Sequence, residues 1–198
     1  RWTTGFQLEI AYGFGSTGDL RVEAGGLARS NTNVFIGRGG AGTASVSGAG
    51  RLESGGNTSI GVDAGSVGTA TVSGNNSTIA TGTLLLVGVN GTGTLNIQSA
   101  GKVTAPNAIL GNGATGVGTI NLSGTGSLLD VEGDLIVGNL GRGTINLNPG
   151  AGITVGDSAV PAPSGRLIVG DANLNGSAGG NVVLNNQSTW SMNNAVLF

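Results

Sequence analysis

The residues best placed for chemistry are three carboxylates at alternate positions, Asp130, Glu132 and Asp134. Alternate side chains of an extended strand lie on one face, so this spacing predicts three acids on one surface. Such a surface could bind calcium through carboxylate oxygens, or carry the two acids that glycoside hydrolysis needs. Residues 103–107, one repeat earlier, contain no acid to complete a pair. We interpret the acids as a solvated face, with cation binding and sugar chemistry as alternatives, and predict no catalytic residue, no metal site and no cofactor.

Composition restricts the chemistry further. The 198 residues include no histidine and no cysteine, which excludes disulfides and metal sites built from imidazole or thiolate. The formal net charge is −2 and the sequence has no basic stripe, so nucleic acid is not an expected partner. No apolar run reaches the roughly 18 residues that a membrane-spanning helix needs, so we expect no transmembrane segment. The glycine-rich bends are not followed by Gly-Lys-Ser/Thr, as a phosphate-binding loop would be.

A period of about 25 residues supplies the elements that must position any site. It is marked by Gly-Thr pairs whose threonines lie 26, 25, 25 and 25 residues apart. These threonines are Thr43, Thr69, Thr94, Thr119 and Thr144. Each pair is followed by two apolar residues that flank one polar residue, as in Leu95-Asn96-Ile97, and this alternation predicts a strand with one buried face. A fixed period of this size is typical of a solenoid.

Two further strand-like segments follow in each period. Three strands in about 25 residues match one coil of a three-sided parallel β-helix. The sequence therefore predicts an all-β solenoid of about seven coils, in a single segment over residues 1–198. The second strand of each coil is expected to centre on one apolar residue: Leu27, Leu52, Ile79, Val103, Leu128 or Ile153. The repeat is in progress at Arg1 and still running at Phe198, so we expect a piece of a longer repeat protein or a processed subunit.

Two departures from strict repetition are expected. The spacing from the end of each third strand to the next Gly-Thr position alternates between 9 and 7 residues, which indicates a unit of two coils. Residues 157–166 read as an insertion that contains Pro161 and Pro163. Proline has no amide donor and cannot continue a sheet ladder, so this segment is predicted to leave the coil as a loop.

Two rows of polar side chains are predicted on the outside of the first strand. Asn96, Asn121 and Asn146 occupy the same position in successive coils, where their amides would form a hydrogen-bonded ladder. The Gly-Thr threonines would form a second ladder beside it. The alternative is a flat array of hydroxyls that binds ice or a glycan. We favour structural ladders because earlier coils replace asparagine with other residue types at this position.

The third strands predict a lateral interface. The residues between their inward-facing anchors must point outward, since side chains alternate along a strand, yet most are large and apolar. These candidate interface residues are Phe35, Leu86, Ile109, Ile136, Ile168 and Phe198. An exposed apolar stripe usually marks a binding surface. The alternatives are a cover formed by the chain itself, with the insertion at 157–166 as the lid, or a stripe that is simply exposed.

Two stretches of sequence carry a resemblance to a known family. The pattern VG…G-x-GTLNI…G-K-V and the closing stretch STWSMNNAVLF resemble the repeats of bacterial autotransporter passenger domains, and the likeness covers nearly the whole chain. The resemblance implies a right-handed β-helix, display outside a Gram-negative cell, and a frequent role in adhesion. It implies that the protein is secreted or held at the cell surface.

The function expected from these observations is that of an extracellular structural or adhesive rod. It would mediate surface attachment, cell–cell contact or matrix formation, with other copies of itself or with cell-surface or host glycans or proteins as partners. A self-assembling fibre subunit is one alternative and a carbohydrate-active β-helix enzyme is another. The sequence lacks a basic residue beside paired acids, so we predict that the protein is not an enzyme.

Overall fold

Strands one period apart in the sequence pair side by side in the structure. The computed structural model describes residues 1–156, 165–170, 179–184, 189–192 and 195–197. Each coil contributes one short strand to each of three parallel sheets, and every sheet pairs strands from consecutive coils. The predicted all-β solenoid with three strands per coil of about 25 residues is therefore confirmed.

Among the described residues, sheets A, B and C contain eight, eight and seven strands. Sheet A consists of β1 (Trp2–Thr4), β4 (Leu27–Ser30), β7 (Arg51–Ser54), β10 (Thr78–Thr81), β13 (Lys102–Ala105), β16 (Leu128–Val131), β19 (Gly152–Val155) and β22 (Thr189–Met192). Sheet B consists of β2 (Leu8–Ile10), β5 (Val34–Ile36), β8 (Thr58–Ile60), β11 (Leu84–Val87), β14 (Asn107–Leu110), β17 (Leu135–Val137), β20 (Gly165–Val169) and β23 (Ala195–Leu197). Sheet C consists of β3 (Thr17–Val22), β6 (Ala41–Ser47), β9 (Val67–Ser73), β12 (Thr92–Gln98), β15 (Val117–Ser123), β18 (Arg142–Leu147) and β21 (Gly179–Leu184).

The core is a narrow column of aliphatic side chains that the three sheets enclose. In β12 and β15, Leu95 stacks on Ile120 and Ile97 stacks on Leu122, and all four side chains are fully buried. Burying a side chain of this size stabilises the fold by about 1.5–3 kcal/mol. The period-2 alternation of the first strand therefore places its apolar residues inward, as the sequence predicts.

Two glycines explain why each repeat carries the hydrophobic-Gly and Gly-Thr pairs. Gly88 follows β11 with φ of 72°, a left-handed conformation that glycine adopts without the steric cost of a side chain. Gly93 lies in β12 and faces that bend. A Cβ atom at Gly93 would lie 2.3 Å from the backbone nitrogen of Gly88 and 2.3 Å from the carbonyl oxygen of Ile60. The motif is thus required by the corner where sheet B passes into sheet C.

The corners between sheets B and C alternate in length, as predicted. Three of them contain six residues, at 11–16, 61–66 and 111–116, and three contain four residues, at 37–40, 88–91 and 138–141. Long and short corners stack on one another through backbone hydrogen bonds, such as those from Asp63 N to Arg38 O and from Asn90 N to Val62 O. The two-coil unit is a property of this edge of the solenoid.

The predicted phase of the second strand is wrong in two coils. Leu27 and Leu128 begin β4 and β16 and are half-buried, whereas the next residues, Ala28 at 5% exposure and Leu129 at 0%, face the core. Two consecutive apolar residues leave the alternation ambiguous in this strand. Pairing decides it, because Leu129 is in register with Val103 and Ile153.

The insertion lies mostly outside the described residues, which exclude 157–164. Its last two predicted members, Gly165 and Arg166, are not loop residues, because they begin β20 in sheet B. The strand therefore starts two residues earlier than the sequence prediction placed it.

Candidate functional surfaces

The third-strand residues predicted as a lateral interface form one row on the outside of sheet B. Leu86 pairs in register with Ile109, Ile109 with Ile136, and Ile136 with Ile168. Phe35 belongs to the same row, two strands before Leu86, and Phe198 lies outside the described residues. We call the outward side chains of Phe35, Leu86, Ile109, Ile136 and Ile168 the lateral face.

The lateral face is only partly open to solvent. Leu86 is 9% exposed, and the other four side chains are half-buried. Stacking at one residue per coil explains this burial, since each side chain is covered on both sides by its ladder neighbours. A shallow depression of about 290 Å³ lies beside the row, with Leu84, Ile109 and Ile136 among its lining residues. Thr83, Asn107 and Asp134 line the other side of this depression, so the outer surface of sheet B carries an apolar row next to polar and charged side chains.

A cluster of side chains around Arg38 occupies the first coils of the same surface. The Arg38 guanidinium carbon lies 5.1 Å from the Tyr12 ring centroid and 5.0 Å from the Phe35 ring centroid. The Arg38 side chain also forms an ion pair with Glu9. Two cation–π contacts and the ion pair with Glu9 hold the guanidinium in one place. Sequence reasoning missed this cluster, although the 26-residue separation of Tyr12 and Arg38 is one period and would have revealed it.

A second ion pair between an arginine and a carboxylate lies at the other end of the described part of sheet B. Arg166 Nη2 lies 2.5 Å from Asp134 Oδ2, and Arg166 Nε lies 3.1 Å from both carboxylate oxygens. Hydrogen bonding to Arg166 lowers the pKa of Asp134 below its ordinary value, against a smaller opposing effect of burial. Glu9–Arg38 and Asp134–Arg166 thus place one neutral ion pair near each end of the lateral face.

The carboxylates of Asp130, Glu132 and Asp134 do not share a face. Asp130 lies in β16 on sheet A, where its carboxylate is 2.9 Å from Lys102 Nζ. Strand β16 ends at Val131, so Glu132 and Asp134 lie in the corner between β16 and β17. The period-2 spacing was carried across a bend in the chain, which is why the prediction of one shared surface is wrong. Among the described residues, no group of three or more acidic side chains is placed to hold a metal ion.

The asparagines of sheet C form a hydrogen-bonded row. The side-chain Nδ2 of Asn121 donates to Asn96 Oδ1 at 2.9 Å, and Nδ2 of Asn146 donates to Asn121 Oδ1 at 2.8 Å. Asn96 in turn lies with its Nδ2 at 3.4 Å from Thr71 Oγ1. Every amide donates toward the preceding coil, so the row has a direction. These side chains are half-buried, where such bonds add to the backbone ladder.

The threonines of sheet C are stacked in register beside the asparagines. Thr94 pairs with Thr69 on one side and with Thr119 on the other. Asp19 occupies the same row in β3, and Thr43 Oγ1 donates to its carboxylate at 2.5 Å. That hydroxyl and the Arg21 guanidinium lower the pKa of Asp19. The outward residues of β6, β9, β12 and β15 in sheet C carry no charge, so this surface is mostly polar and is neutral.

No protein-family model, no curated protein and no solved structure matches the chain. Among the described residues, no helix is both long enough and apolar enough to span a membrane.

Proposed function

We propose that the chain is a structural and adhesive β-solenoid rod that acts outside the cell, in surface attachment, cell–cell contact or matrix formation. The observation that carries this proposal is the unbroken register of three parallel sheets from coil to coil. A chain folded in this way repeats its surface at a fixed interval. Such a surface suits a spacer or a contact with an extended partner better than it suits an enclosed reaction site.

The physical basis for a rod is that each coil contacts only its neighbours. Stability in a solenoid is a sum of repeat and nearest-neighbour contributions, so coils add length and leave the cross-section unchanged. Six steps of about 4.8 Å carry sheet B from β2 to β20, a length of about 29 Å. Backbone ladders on all three sides resist bending in every direction. The rod is therefore stiff over the described coils.

The extracellular location is supported by composition and by the resemblance of the repeats. The chain has no cysteine, which suits passage through an oxidising compartment because no thiol can form a wrong disulfide. The VG…GTLNI repeats resemble those of autotransporter passenger domains, which are displayed on Gram-negative cells. We include secretion to that surface in the proposal, with other copies of the chain or cell-surface glycans or proteins as partners.

The lateral face is the surface that we assign to attachment. Its aliphatic side chains lie in the central and later coils, and Phe35 lies in the first coils with Arg38 and Tyr12 beside it. Aromatic residues and arginine are the types that most often dominate binding energy at protein interfaces. The other candidate for attachment is the neutral polar surface of sheet C. Its asparagine amides are already hydrogen-bonded to each other.

Two measurements test the proposal. Small-angle scattering of dilute protein should give the profile of an elongated particle with a narrow, constant cross-section, and a compact spherical profile would overturn the rod. Bacteria that display the chain should adhere to one or more of three coatings: the chain itself, cell-surface glycans, or cell-surface proteins. Display of the Ile109→Lys, Ile136→Lys variant should reduce adhesion, whereas the matched sheet C variant Thr94→Lys, Thr119→Lys should not. Equal adhesion by both variants would remove the lateral face from the proposal.

A further inference from the structure

The depression on the outside of sheet B combines apolar side chains with hydrogen-bonding groups. Its volume is about 290 Å³, and its lining residues are Thr83, Leu84, Asn107, Ile109, Asp134 and Ile136. We propose that it binds a neutral oligosaccharide that runs along the rod, with the C–H face of a sugar ring on Ile109 and Ile136. The inference rests on the proposed function, because it names the class of cell-surface glycan and the residues that bind it.

The strand register sets a polar row beside an apolar row in this depression. Ile109 in β14 pairs with Ile136 in β17. Asn107 and Asp134 each lie two residues before one of these isoleucines, and alternate side chains of an extended chain share a face. The two rows are about 7 Å apart along the strands and repeat about every 4.8 Å along the rod. A sugar ring has an apolar C–H face and hydroxyl groups at its edge, so it can contact both rows at once.

The lining of the depression is open to solvent in the described part of the chain. Thr83 and Asn107 are exposed, and the other four lining residues are half-buried. Ser59 and Leu86, the two buried members of the same outward row, lie outside the depression. A ligand can therefore reach the polar and the apolar row without displacing a side chain.

The polar row keeps donors and acceptors for an outside partner. Asn107 Oδ1 accepts a hydrogen bond from Asp134 N at 2.9 Å, which fixes the amide and leaves Nδ2 with two N–H donors. Among the described residues, none accepts a hydrogen bond from this nitrogen. Thr83 Oγ1 donates to Asn57 Oδ1 at 2.6 Å, so its lone pairs are available as acceptors. Because a hydroxyl group both donates and accepts, this combination suits a sugar.

The charge of the depression favours a neutral sugar over an anionic one. Arg166 Nε lies 3.1 Å from each Asp134 carboxylate oxygen, so the pair carries no net charge. A carboxylate has about four acceptor positions, and the guanidinium does not fill all of them, so sugar hydroxyls can still donate to Asp134. The carboxylate of a uronic acid would meet a like charge there.

The size and openness of the depression set the strength of binding. It extends over the three coils of β11, β14 and β17, about 10 Å along the rod, which is the length of a short oligosaccharide. A shallow site of this kind should bind one ligand weakly, with a dissociation constant of about 1 mM or more. Many rods on one cell surface bind the same glycan coat together, so avidity makes the attachment firm.

NMR titration of the purified chain tests the site directly. The probes are cellotriose, maltotriose, mannotriose and triacetylchitotriose, with trigalacturonate as the anionic comparison, each up to about 30 mM. At least one neutral trisaccharide should shift the Asn107 side-chain amide, and its C–H protons should give Overhauser effects to the Ile109 and Ile136 methyl groups. The inference is overturned if no neutral probe does so, or if trigalacturonate binds as tightly.

An isosteric variant tests the role of the free amide. Asn107→Asp keeps the oxygen that accepts from Asp134 N but removes both N–H donors, so binding of the same trisaccharide should weaken at least about tenfold. Asn75→Asp makes the same change at an exposed asparagine in the corner between sheets C and A, and should bind like wild type. Circular dichroism and thermal melting establish that both variants are folded. Equal affinity in the two variants would remove the site from this depression.

Adhesion of displaying bacteria separates this inference from the proposed function. Display of Asn107→Asp should reduce adhesion to a glycan coating and leave adhesion to a protein coating or to the chain itself unchanged. If wild type adheres to one of those other coatings while no sugar binds, the glycan site falls and the adhesive rod stands. If wild type adheres to no coating at all, the proposed function fails even where a free trisaccharide binds.

Discussion

The side-chain amide of Asn146 donates a hydrogen bond to Asn121 Oδ1 at 2.8 Å, although 25 residues separate the two in the sequence. The Asn121 amide repeats the same bond to Asn96, so donors and acceptors alternate in one direction along the rod. Hydrogen bonds aligned in series polarise one another and strengthen the chain of bonds. The ladder therefore joins three coils through their side chains as well as through their backbones.

Removing the middle amide of this ladder should lower the free energy of unfolding more than removing an exposed amide elsewhere. Asn121→Ala removes the donor to Asn96 Oδ1 and the acceptor of Asn146 Nδ2, so we expect the free energy of unfolding to fall by about 1–2 kcal/mol. Urea unfolding measures the loss. Gln98→Ala is the control, because it removes an exposed amide from β12, and it should change stability by less than about 0.5 kcal/mol. Equal losses in the two variants would show that the ladder adds nothing.

A methyl group at the β12 glycine that faces the corner should prevent normal folding. Gly93→Ala places a Cβ atom 2.3 Å from Gly88 N, where neither backbone can move without breaking the ladder. We expect a loss of more than about 3 kcal/mol, or an insoluble product. Gly13→Ala has open space around its Cβ atom and should be close to neutral. Thermal melting of the two variants makes the comparison, and a normally folded Gly93→Ala protein would contradict the proposed reason for the Gly-Thr motif.

Opposite faces of one strand should respond very differently to the same polar residue. Ile120 is fully buried in β15, whereas Val117 in the same strand is 38% exposed. Ile120→Asn buries an amide without partners and should cost several kcal/mol. Val117→Asn keeps its amide in water and should cost less than about 1 kcal/mol. Urea unfolding of both variants checks the inward phase of sheet C, and similar losses would mean that this phase is wrong.

The pair of Asp134 and Arg166 predicts a pH dependence. The pKa of Asp134 is lowered in the folded state, so the pair contributes stability above the unfolded value of about 3.9 and loses it as pH falls through the folded value. Arg166→Gln should raise the pKa of Asp134 toward its ordinary value, as carboxyl NMR titration would show. The stability difference from wild type should be at most about 1 kcal/mol at pH 7, because both side chains are partly exposed, and should disappear once the pH falls below the folded pKa of Asp134.

The matched control for this titration is Arg142→Gln. Arg142 is an exposed arginine of β18 on sheet C, away from Asp134 in sheet B's corner, so its loss should not change the pKa of Asp134. A raised pKa in both variants would mean that general charge, and not the hydrogen bonds from Arg166, lowers the value.

The solenoid could be predicted because its corners and strands each impose their own residue types. Glycine is required where sheet B enters sheet C, and apolar residues must alternate where a strand has one buried face. Both requirements recur once per coil, so the sequence displays the period directly. In-register stacking then follows, and it brings Asn96, Asn121 and Asn146 into one row. The fold, its register and the row of lateral residues were accessible for this reason.

The features that could not be predicted from the sequence depend on where the chain bends and on which residues of different coils come into contact. Leu128 and Leu129 are both apolar, so alternation alone could not say which faces the core. The turn after Val131 breaks a period-2 series of acids that looks continuous in the sequence. The Arg38 cluster joins residues from two coils. It becomes visible only when the sequence is written with one coil above another.

The alternation of six-residue and four-residue corners has a consequence for how such a protein can change length during evolution. Removing one coil would stack two corners of equal length, whereas removing residues 67–116 would join a six-residue corner to β15 just as it now joins β9. Recombination between repeats should therefore be tolerated in steps of two coils. Descendants of this gene would differ by multiples of about 50 codons, and the length of the rod would change by about 10 Å at each step.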